Sequence, residues 1–365
     1  MLKNRGESVL AIADKERIHT LELKRRYVAF SLIYSDIFRS SLLLLVRLYA
    51  LFRLLNKNYV GNKDVCMAHF FNTYIYLSYF YRVLTEVQPK YVVTANDHSA
   101  ANRSLLAVAH KLGIKTVYLQ HASVSNLFPA LRVNYAFLDG LHSLNTYREC
   151  ENNQPSTTRE APVPVVILSG QKKQLQCAGR TEKKLVGLAL NRLDDYSSVI
   201  ELVNSLINFG CNVCVRWHPG QHERDVQQLI KYLEYNSMAT FSDPKTDSLS
   251  AFLERIRWLV AGNSSIHLEA ALANVIPIYY EITPPDSHDY YGYVKHGLAK
   301  FAKSYEDILD CVLETKSCHR PEINAIRYYS STYLTNWDGR EGELVADCLI
   351  CLINGEKLPV PTYGL

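Results

Sequence analysis

The sequence lacks a run of apolar residues long enough to cross a membrane, which needs roughly 20 of them in a row. Its most apolar stretch begins at Leu42, and Arg39, Arg47 and Arg53 interrupt it. The first residues also lack the uninterrupted apolar core of a secretory signal. We therefore predict a cytoplasmic protein without a membrane-spanning segment.

The sequence also lacks the cysteine spacing of a disulfide framework, because its nine cysteines are odd in number and irregularly placed. This usage predicts reduced thiols. Cys211 and Cys214, like Cys348 and Cys351, have the spacing of half a zinc site, but neither pair has the turn residues usual for one. No Asp-x-Asp motif stands beside a predicted strand. We expect buried thiols at both pairs, no metal and no other cofactor.

A large excess of either charge is absent as well, since 40 Lys and Arg stand against 36 Asp and Glu. Nucleic-acid binding would need a denser basic face with interleaved aromatic residues, so we expect no nucleic-acid partner. Residues 1–57 nevertheless hold eleven Lys and Arg against five Asp and Glu. This basic region fits the anionic surface of a membrane, and a solvated amphipathic helix explains it equally well.

The hydrophobic pattern predicts two long helices, over residues 17–57 and 65–87, followed by strands that alternate with helices. The predicted strands cover residues 91–94, 115–119, 135–138, 185–190, 212–217, 239–241, 258–261 and 275–280. The predicted helices among and after them cover residues 99–112, 196–209, 223–235, 248–255, 266–274 and 342–352. Such alternation is typical of α/β proteins with parallel sheets.

Residues 150–164 are rich in Asn, Ser, Thr and Pro, which makes them the best linker candidate in the chain. We predict a doubly wound, Rossmann-like domain over residues 1–155, with a helical N-terminal region, and a second one over residues 156–340. Residues 341–365 are expected to form a helix that can cross back to the first domain. The two sheets would face a central cleft.

Polar groups stand directly past five of the predicted strands. They are Asn96-Asp97-His98, Gln120-His121, Asn191-Arg192, His218-Pro219 and Gly262-Asn263-Ser264-Ser265. Ligands of parallel α/β sheets bind at the carboxyl ends of the strands. Five polar strand ends aimed at one cleft therefore indicate a binding site.

Two of these strand ends look like halves of a phosphate clamp. Arg216 and His218 bring a basic corner to one strand end. Ser264 and Ser265 open a helix whose free N–H groups and dipole attract an anion. The pair predicts a nucleotide-linked substrate. Each half also has a simpler explanation, with the serines as plain helix caps and Arg216 as a surface strand residue.

Asp97 and His121 follow consecutive strands, which would place them roughly 5–10 Å apart if the strands are neighbours. A carboxylate facing the cleft can act as a general base for an acceptor hydroxyl, or as a nucleophile at an anomeric carbon. The clamp would stabilise the departing nucleotide without a metal. The alternatives are that Asp97 caps the next helix and that His121 is a hydrogen-bonded core histidine.

These motifs resemble two-domain bacterial glycosyltransferases of the GT-B type that use CMP-activated sugars. In those sialyltransferases and Kdo transferases a His-Pro and a Ser-Ser motif hold the CMP. Here His218-Pro219 and Ser264-Ser265 match them in order and spacing. Gln120-His121 is similar to the Gln-His turn of capsule and polysialic-acid enzymes, although Ala122 stands where Gly is usual. The resemblance covers about residues 85–300.

The resemblance implies a GT-B fold with an acceptor-side N-terminal domain and a C-terminal domain for the nucleotide-sugar. It implies transfer of Kdo or a related nonulosonic acid from a CMP-sugar to a glycan or lipid-linked glycan. The product would belong to a capsule, O-antigen or other lipopolysaccharide, with the enzyme at the cytoplasmic face of the inner membrane. Asp97 and His121 would be catalytic. Asn96, His98 and Gln120 would face the acceptor or sugar. The residues that would bind the donor are Asn191, Arg216, His218, Pro219, Asn263, Ser264, Ser265 and, at the ribose, Glu269.

Three other functions stay open. A CDP-polyol phosphotransferase of the teichoic-acid type carries similar motifs and would release CMP. A catalytically silent scaffold would bind a nucleotide-sugar without turnover. A sugar-nucleotide epimerase on the same fold would prefer UDP. The sequence also leaves open whether Asp97 acts as a nucleophile in a retaining transfer or as a base in an inverting one.

Overall fold

The computed structural model describes residues 11–13, 27–29, 31–56, 63–153, 162–171, 185–283, 288–313 and 319–365. The strands are β1 (Ala11–Ala13), β2 (Tyr27–Ala29), β3 (Tyr91–Thr94), β4 (Lys115–Leu119), β5 (Tyr135–Leu138), β6 (Val165–Leu168), β7 (Leu185–Ala189), β8 (Asn212–Arg216), β9 (Ala239–Ser242), β10 (Trp258–Ala261), β11 (Ile276–Tyr279), β12 (Lys300–Phe301) and β13 (Thr362–Gly364). The helices are α1 (Tyr34–Asn56), α2 (Lys63–Val87), α3 (Ala100–Lys111), α4 (Leu141–Asn152), α5 (Tyr196–Asn208), α6 (Glu223–Glu234), α7 (Leu249–Arg255), α8 (Ile266–Leu272), α9 (Tyr305–Val312), α10 (Ile323–Tyr329) and α11 (Glu341–Asn354).

The N-terminal region departs from the prediction of one helix over residues 17–57. β2 pairs in parallel with β1, so the prediction is wrong for Tyr27–Ala29, a segment whose Tyr and Val favour strands. The helix begins at Tyr34, and residues 17–26 lie outside the described residues. A buried ion pair anchors this helix on α2, because Arg82 Nη2 lies 2.9 Å from Asp36 Oδ2. In the part of the chain that the structure describes, no helix is both long and apolar enough to span a membrane.

The first large sheet has the strand order β13-β6-β5-β4-β3, with β13 antiparallel and the other four strands parallel. β6 follows the segment that we single out as a linker and still pairs with β5. The first sheet therefore continues past residue 155, and the chain crosses to the second sheet between Leu168 and Leu185. The linker residues 154–161 themselves lie outside the described residues.

Helices cover both faces of the first sheet, because successive side chains of a strand point to opposite faces. Tyr118 packs against Leu144 of α4, whereas Val117 packs against Leu344 of α11. α11 and β13 come last in the chain and still lie on the first sheet. The chain thus crosses between the sheets twice.

The second sheet is a parallel sheet of six strands in the order β12-β11-β10-β7-β8-β9. α5, α6 and α9 pack on one face, and α7 and α8 pack on the other. The predicted strands and helices between residues 185 and 280 are confirmed to within two residues of each end. Gly187 in the central strand lets the α7 side approach closely, since an added Cβ atom would lie 2.4 Å from Ile256 Cδ1.

The carboxyl ends of the two sheets face each other across a cleft. Ser123 and Ser125, in the loop after β4, reach the segment beyond β11. Ser123 Oγ lies 3.1 Å from the Tyr293 hydroxyl, and Ser125 Oγ lies 2.6 Å from the Tyr290 hydroxyl. The chain is therefore an α/β protein of two doubly wound halves, with the polar strand ends of both directed toward the cleft.

Candidate active site

Three neighbouring strands of the second sheet end in polar residues. Asn191 follows β7, His218 follows β8, and the turn of residues 262–265 follows β10. Adjacent strands lie about 4.8 Å apart, so the three ends fall within roughly 10 Å of one another. A Cβ atom added to Gly262 would lie 3.4 Å from Asn191 Nδ2, so this turn contacts Asn191. The structure thus brings together the two predicted halves of the phosphate clamp.

His218 can offer a hydrogen-bond donor at this edge. Its Nδ1 accepts a hydrogen bond from the Gly220 backbone N–H at 3.0 Å. In the neutral ring this bond leaves the proton on Nε2. His218 and Pro219 are both exposed, and Pro219 restricts the backbone of the corner. A phosphate at the end of β8 would meet an N–H group rather than a lone pair.

In the turn after β10, one side chain has a structural role and two hydroxyl groups can bind a ligand. Asn263 Oδ1 accepts hydrogen bonds from the Tyr279 hydroxyl at 2.9 Å and from Tyr290 N at 2.8 Å. Asn263 therefore holds the neighbouring turn in place. Ser265 precedes α8 and makes no capping hydrogen bond, and Ser264 Oγ accepts only a long one, 3.5 Å from Ile266 N. Both half-buried hydroxyls can bind an anion.

Arg216 is predicted to bind the nucleotide, but its guanidinium binds other groups of the protein. Its Nη1 donates to Ser242 Oγ at 2.6 Å and to the backbone oxygen of Asp247 at 3.0 Å. The guanidinium also lies over the Phe252 ring, 5.6 Å from its centre. Burial lowers the pKa of Arg216. Arg216 therefore joins β8 to the segment after β9 rather than facing a phosphate.

Glu269, predicted to reach a ribose, lies inside the second domain with 2% of its surface exposed. Its neighbour His267, which the sequence analysis does not single out, is fully buried, and its Nε2 lies 2.9 Å from the Gly262 oxygen. Burial lowers the pKa of His267 to about 4, so the neutral ring donates to that oxygen. His267 thereby supports the turn of residues 262–265. A polar residue among the small apolar residues of α8 is its only signal in the sequence.

Three further acidic residues stand at this edge. Asp195 caps α5 by accepting from Ser198 N at 3.1 Å, whereas Asp194 Oδ2 accepts from Asn191 N at 2.7 Å. Burial raises the pKa of Asp194 to about 6. Glu281 lies just past β11, where its Oε1 accepts from the Tyr279 hydroxyl at 2.8 Å. The strand-end pattern that selects Asn191 would also have selected Glu281.

Asp97 is the buried carboxylate at the end of β3, with 7% of its surface exposed. It does not cap α3, because Ser99 Oγ accepts from Asn102 N at 3.2 Å in that role. Asp97 Oδ1 accepts no hydrogen bond from the described residues, although His98 Nε2 lies 3.4 Å away. Burial raises the pKa of Asp97, and the nearby His98, Arg103 and His121 oppose the rise. A buried carboxylate that lacks a full set of hydrogen bonds and lines a groove suits proton transfer or nucleophilic attack.

His121 stands at the end of β4, the strand next to β3. Its side chain is exposed, so it is not a core histidine. It lies close enough to Asp97 for its charge to lower the pKa of that carboxyl group. The structure therefore brings Asp97 and His121 together at neighbouring strand ends.

The other polar residues of these turns have mainly structural contacts. Gln120 is buried, accepts from Asp139 N at 2.9 Å and donates to the Ala122 oxygen at 2.9 Å, so its amide holds the turn rather than a sugar. Asn96 Oδ1 accepts from the backbone N–H groups of His98 and Ser99, at 2.8 and 3.2 Å. His98 is the predicted acceptor residue that stays exposed, with its ring 4.4 Å from that of Phe128.

An open groove of about 880 Å³ begins at Asp97 and runs between α2 and α3. The loop with Pro129 and Arg132 closes its far side. This volume lies in the range of ligand pockets for small molecules. No group of three or more potential metal ligands comes together among the residues that the structure describes. There Cys211, Cys214 and Cys348 are buried cysteines outside any disulfide, and Cys351 is a half-buried one.

No model of a protein family matches the sequence, and no curated protein matches it. Several solved structures do share its fold. A putative UDP-N-acetylglucosamine 2-epimerase from Listeria monocytogenes superposes with a TM-score of 0.54 and 12% identity, over 81% of this chain and 82% of that chain. The calicheamicin glycosyltransferase CalG4 superposes with a TM-score of 0.53 and 11% identity, over 96% and 92%. UDP-GlcNAc 2-epimerase from Neisseria meningitidis, bound to UDP-GlcNAc, superposes with a TM-score of 0.50 and 12% identity, over 80% and 84%. The chain therefore has a GT-B fold, as the sequence predicts.

Proposed function

We propose that the chain is a glycosyltransferase that moves Kdo or a related nonulosonic acid from a CMP-sugar to a bacterial surface glycan. The observation that carries the proposal is Asp97. Its carboxylate is buried at a strand end, one of its oxygens accepts no hydrogen bond from the described residues, and an open groove leads to it. These are the properties of a group that acts on a ligand rather than on the fold.

The nucleotide half of the site lies on the second sheet. The Nε2–H of His218 and the hydroxyls of Ser264 and Ser265 can donate to the phosphate of CMP, with Asn191 between them. Hydrogen bonds aimed at the departing phosphate stabilise the charge that it gains as the sugar leaves. We propose that this set replaces a metal ion. Glu269 is buried inside the second domain, so we propose no ribose contact for it.

Asp97 can act in either of two ways. As a base it takes the proton of an acceptor hydroxyl while that oxygen bonds to the anomeric carbon and the bond to CMP breaks. As a nucleophile its carboxylate oxygen bonds to the anomeric carbon first and CMP leaves; the acceptor oxygen then displaces the Asp97 carboxylate and gives up its proton to solvent. Mass spectrometry of enzyme mixed with CMP-Kdo distinguishes them, because only the second route adds one sugar to the protein.

The choice of CMP rests on the His-Pro and Ser-Ser motifs. Two of the solved structures with this fold are named as UDP-GlcNAc 2-epimerases, one of them bound to UDP-GlcNAc. UDP is therefore the competing nucleotide, and an epimerase is the competing activity.

Thermal shift with CMP, CDP, UMP, UDP and GDP tests the nucleotide, with His218→Ala as the variant and His222→Ala as a matched exposed control. A ligand at about 100 times its Kd adds roughly 2.7 kcal/mol of stability. Among the five nucleotides, we expect only CMP or CDP to raise the Tm. We expect the rise to disappear in His218→Ala and to persist in His222→Ala. A rise with UDP alone would contradict the CMP-sugar proposal, and transfer from CMP-Kdo in the presence of EDTA tests the absence of a metal.

We also propose that α1 holds the enzyme against the cytoplasmic face of the inner membrane, near a lipid-linked acceptor. Its large apolar side chains are exposed along one stripe, with Phe38 at 72%, Val46 at 72% and Tyr49 at 78%. Arginines at positions 39, 47 and 53 accompany them, and the acidic Asp36 is buried in an ion pair with Arg82. An apolar stripe flanked by arginines is typical of helices that lie in the surface of an anionic bilayer.

A further inference from the structure

The groove that begins at Asp97 has an uneven distribution of charge. Among the described residues that line it, Asp97 is the only acid, whereas two arginines and three histidines are present: Arg103, Arg132, His69, His98 and His110. Arg132 is ion-paired with Glu151. His110 bonds to Thr116 through Nε2 at 2.9 Å, and burial lowers its pKa, so it carries no charge at neutral pH.

Arg103 is the cation in this groove that stays available. It lies one turn into α3, is exposed, and makes no hydrogen bond or ion pair with another described residue. Its charge lowers the pKa of Asp97, and both residues line the groove. A guanidinium and a carboxylate that line the same groove provide one positive and one negative contact for the same ligand.

The floor of the groove is suited to the face of a sugar ring. Tyr76 and Leu77 of α2 lie on one side, Ala101 and Leu106 of α3 lie on the other, and Pro129 closes the end. Hydroxyl and amide groups of Asn72, Thr73 and Ser104 also line it. Apolar surface with a few polar groups is the usual composition of a ligand pocket.

We propose that this groove binds the acceptor and that the acceptor is anionic, with a carboxylate or phosphate on Arg103 and a hydroxyl at the carboxylate of Asp97. The inference rests on the proposed function, since it assigns the substrate class of the same site. Arg103 is then a specificity-determining residue, because it selects acidic acceptors without touching the nucleotide.

Calorimetric titration at low salt tests the proposal with three probes: tetragalacturonate for a carboxylated glycan, N-acetylglucosamine 1-phosphate for a sugar phosphate, and maltotetraose as the neutral counterpart. The proteins are wild type, Arg103→Gln, Asp97→Asn and Arg224→Gln. Arg224 is an exposed arginine of α6 in the other domain and serves as the matched control. The thermal shift with CMP is measured on each preparation.

We expect wild type and Arg224→Gln to bind at least one anionic probe about tenfold tighter than maltotetraose, and Arg103→Gln to lose that preference. Asp97→Asn should bind the same probe more tightly, because a like charge is removed, which a merely structural role of Asp97 would not cause. The probe that binds identifies carboxylate or phosphate as the group. Equal binding of charged and neutral probes, or equal behaviour of Arg103→Gln and Arg224→Gln, would overturn the proposal. If CMP still raises the Tm in that case, the proposed function stands. If an anionic probe binds at Arg103 but no nucleotide raises the Tm, the proposed function is refuted instead.

Discussion

Asp194 offers a stability test of the nucleotide half of the site, because its carboxyl group is half-buried and accepts a hydrogen bond from Asn191 N. Burial raises its pKa from 3.8 to about 6, even though Asn191 N donates to it. One pKa unit corresponds to about 1.4 kcal/mol. The difference of about two units therefore sets an upper figure of about 3 kcal/mol for the instability of the charged form.

The sign follows from the number of protons bound in each state. Below about pH 4 the carboxyl group of Asp194 is protonated in both the folded and the unfolded chain, so it contributes nothing. Between about pH 4 and 6 the folded chain holds a proton that the unfolded chain has lost, so stability falls as the pH rises. Above about pH 6 the loss is complete. Asp194→Asn lacks this loss, and its amide oxygen still accepts from Asn191 N.

Urea unfolding of wild type and Asp194→Asn at several pH values between 4.5 and 7.5 measures this effect. Tryptophan fluorescence is the readout, because Trp217 and Trp258 are both buried in the second domain. We expect the variant to gain up to about 2 kcal/mol over wild type between the two ends of this range, because about a third of the full effect is already present at pH 4.5. Asp195→Asn is the matched control, since hydrogen bonds from Ser197 and Ser198 lower the pKa of Asp195 and its pH dependence has the opposite sign. A difference between wild type and Asp194→Asn that stays constant with pH would refute the reasoning.

Three further predictions concern the active site, the core and α1. Asp97→Asn should abolish sugar transfer from CMP-Kdo while the thermal shift with CMP stays unchanged, and loss of both would contradict the separation of the two halves. Gly187→Ala should lower the free energy of unfolding by about 1 to 3 kcal/mol in urea, because its Cβ atom would overlap Ile256; an unchanged midpoint would contradict this packing. Val46→Ser with Tyr49→Ser should reduce sedimentation with vesicles of phosphatidylcholine and phosphatidylglycerol, whereas Tyr235→Ser, an equally exposed site in the second domain, should not. Equal sedimentation of the two variants would contradict the proposed membrane contact of α1.

Most of the strands and helices beyond residue 63 could be predicted from the sequence because buried parallel strands appear as short apolar runs. The N-terminal helix was predicted too long because residues 17–57 contain no Pro or Gly to break it. The strand at Tyr27–Ala29 pairs with Ala11–Ala13, and the sequence around residue 27 does not reveal that pairing. The composition of residues 150–164 indicates an exposed connection, but β6 beyond it still belongs to the first sheet, and only strand pairing reveals that.

The polar residues at the strand ends could be predicted from the sequence, whereas the direction of their side chains could not. The position of Arg216 at a strand end is local, but Ser242 and Asp247, which bind its guanidinium, come from another strand and the segment beyond it. Gln120 is bound by Asp139 N, from the neighbouring strand end, in the same way. Sequence spacing fixes which edge of the sheet a residue occupies. Partners brought in by the fold decide whether it holds the turn or stays available to a ligand.

The energetics of Asp97 favour an enzyme over a silent nucleotide-binding scaffold. Leaving a buried polar group without a hydrogen bond costs about 1–3 kcal/mol, and more for a charged group. Burial penalises the carboxylate of Asp97, and its Oδ1 accepts no hydrogen bond from the residues that the structure describes. Binding of a nucleotide on the second sheet gains nothing from this group, because Asp97 lies on the first. A scaffold would be more stable with Asn or Ser at this position, so the proposed reaction at Asp97 gives the charge a role that the fold does not supply. Asp97→Asn should accordingly increase the Tm while it removes turnover. A variant with a lower Tm and no turnover would identify Asp97 as structural.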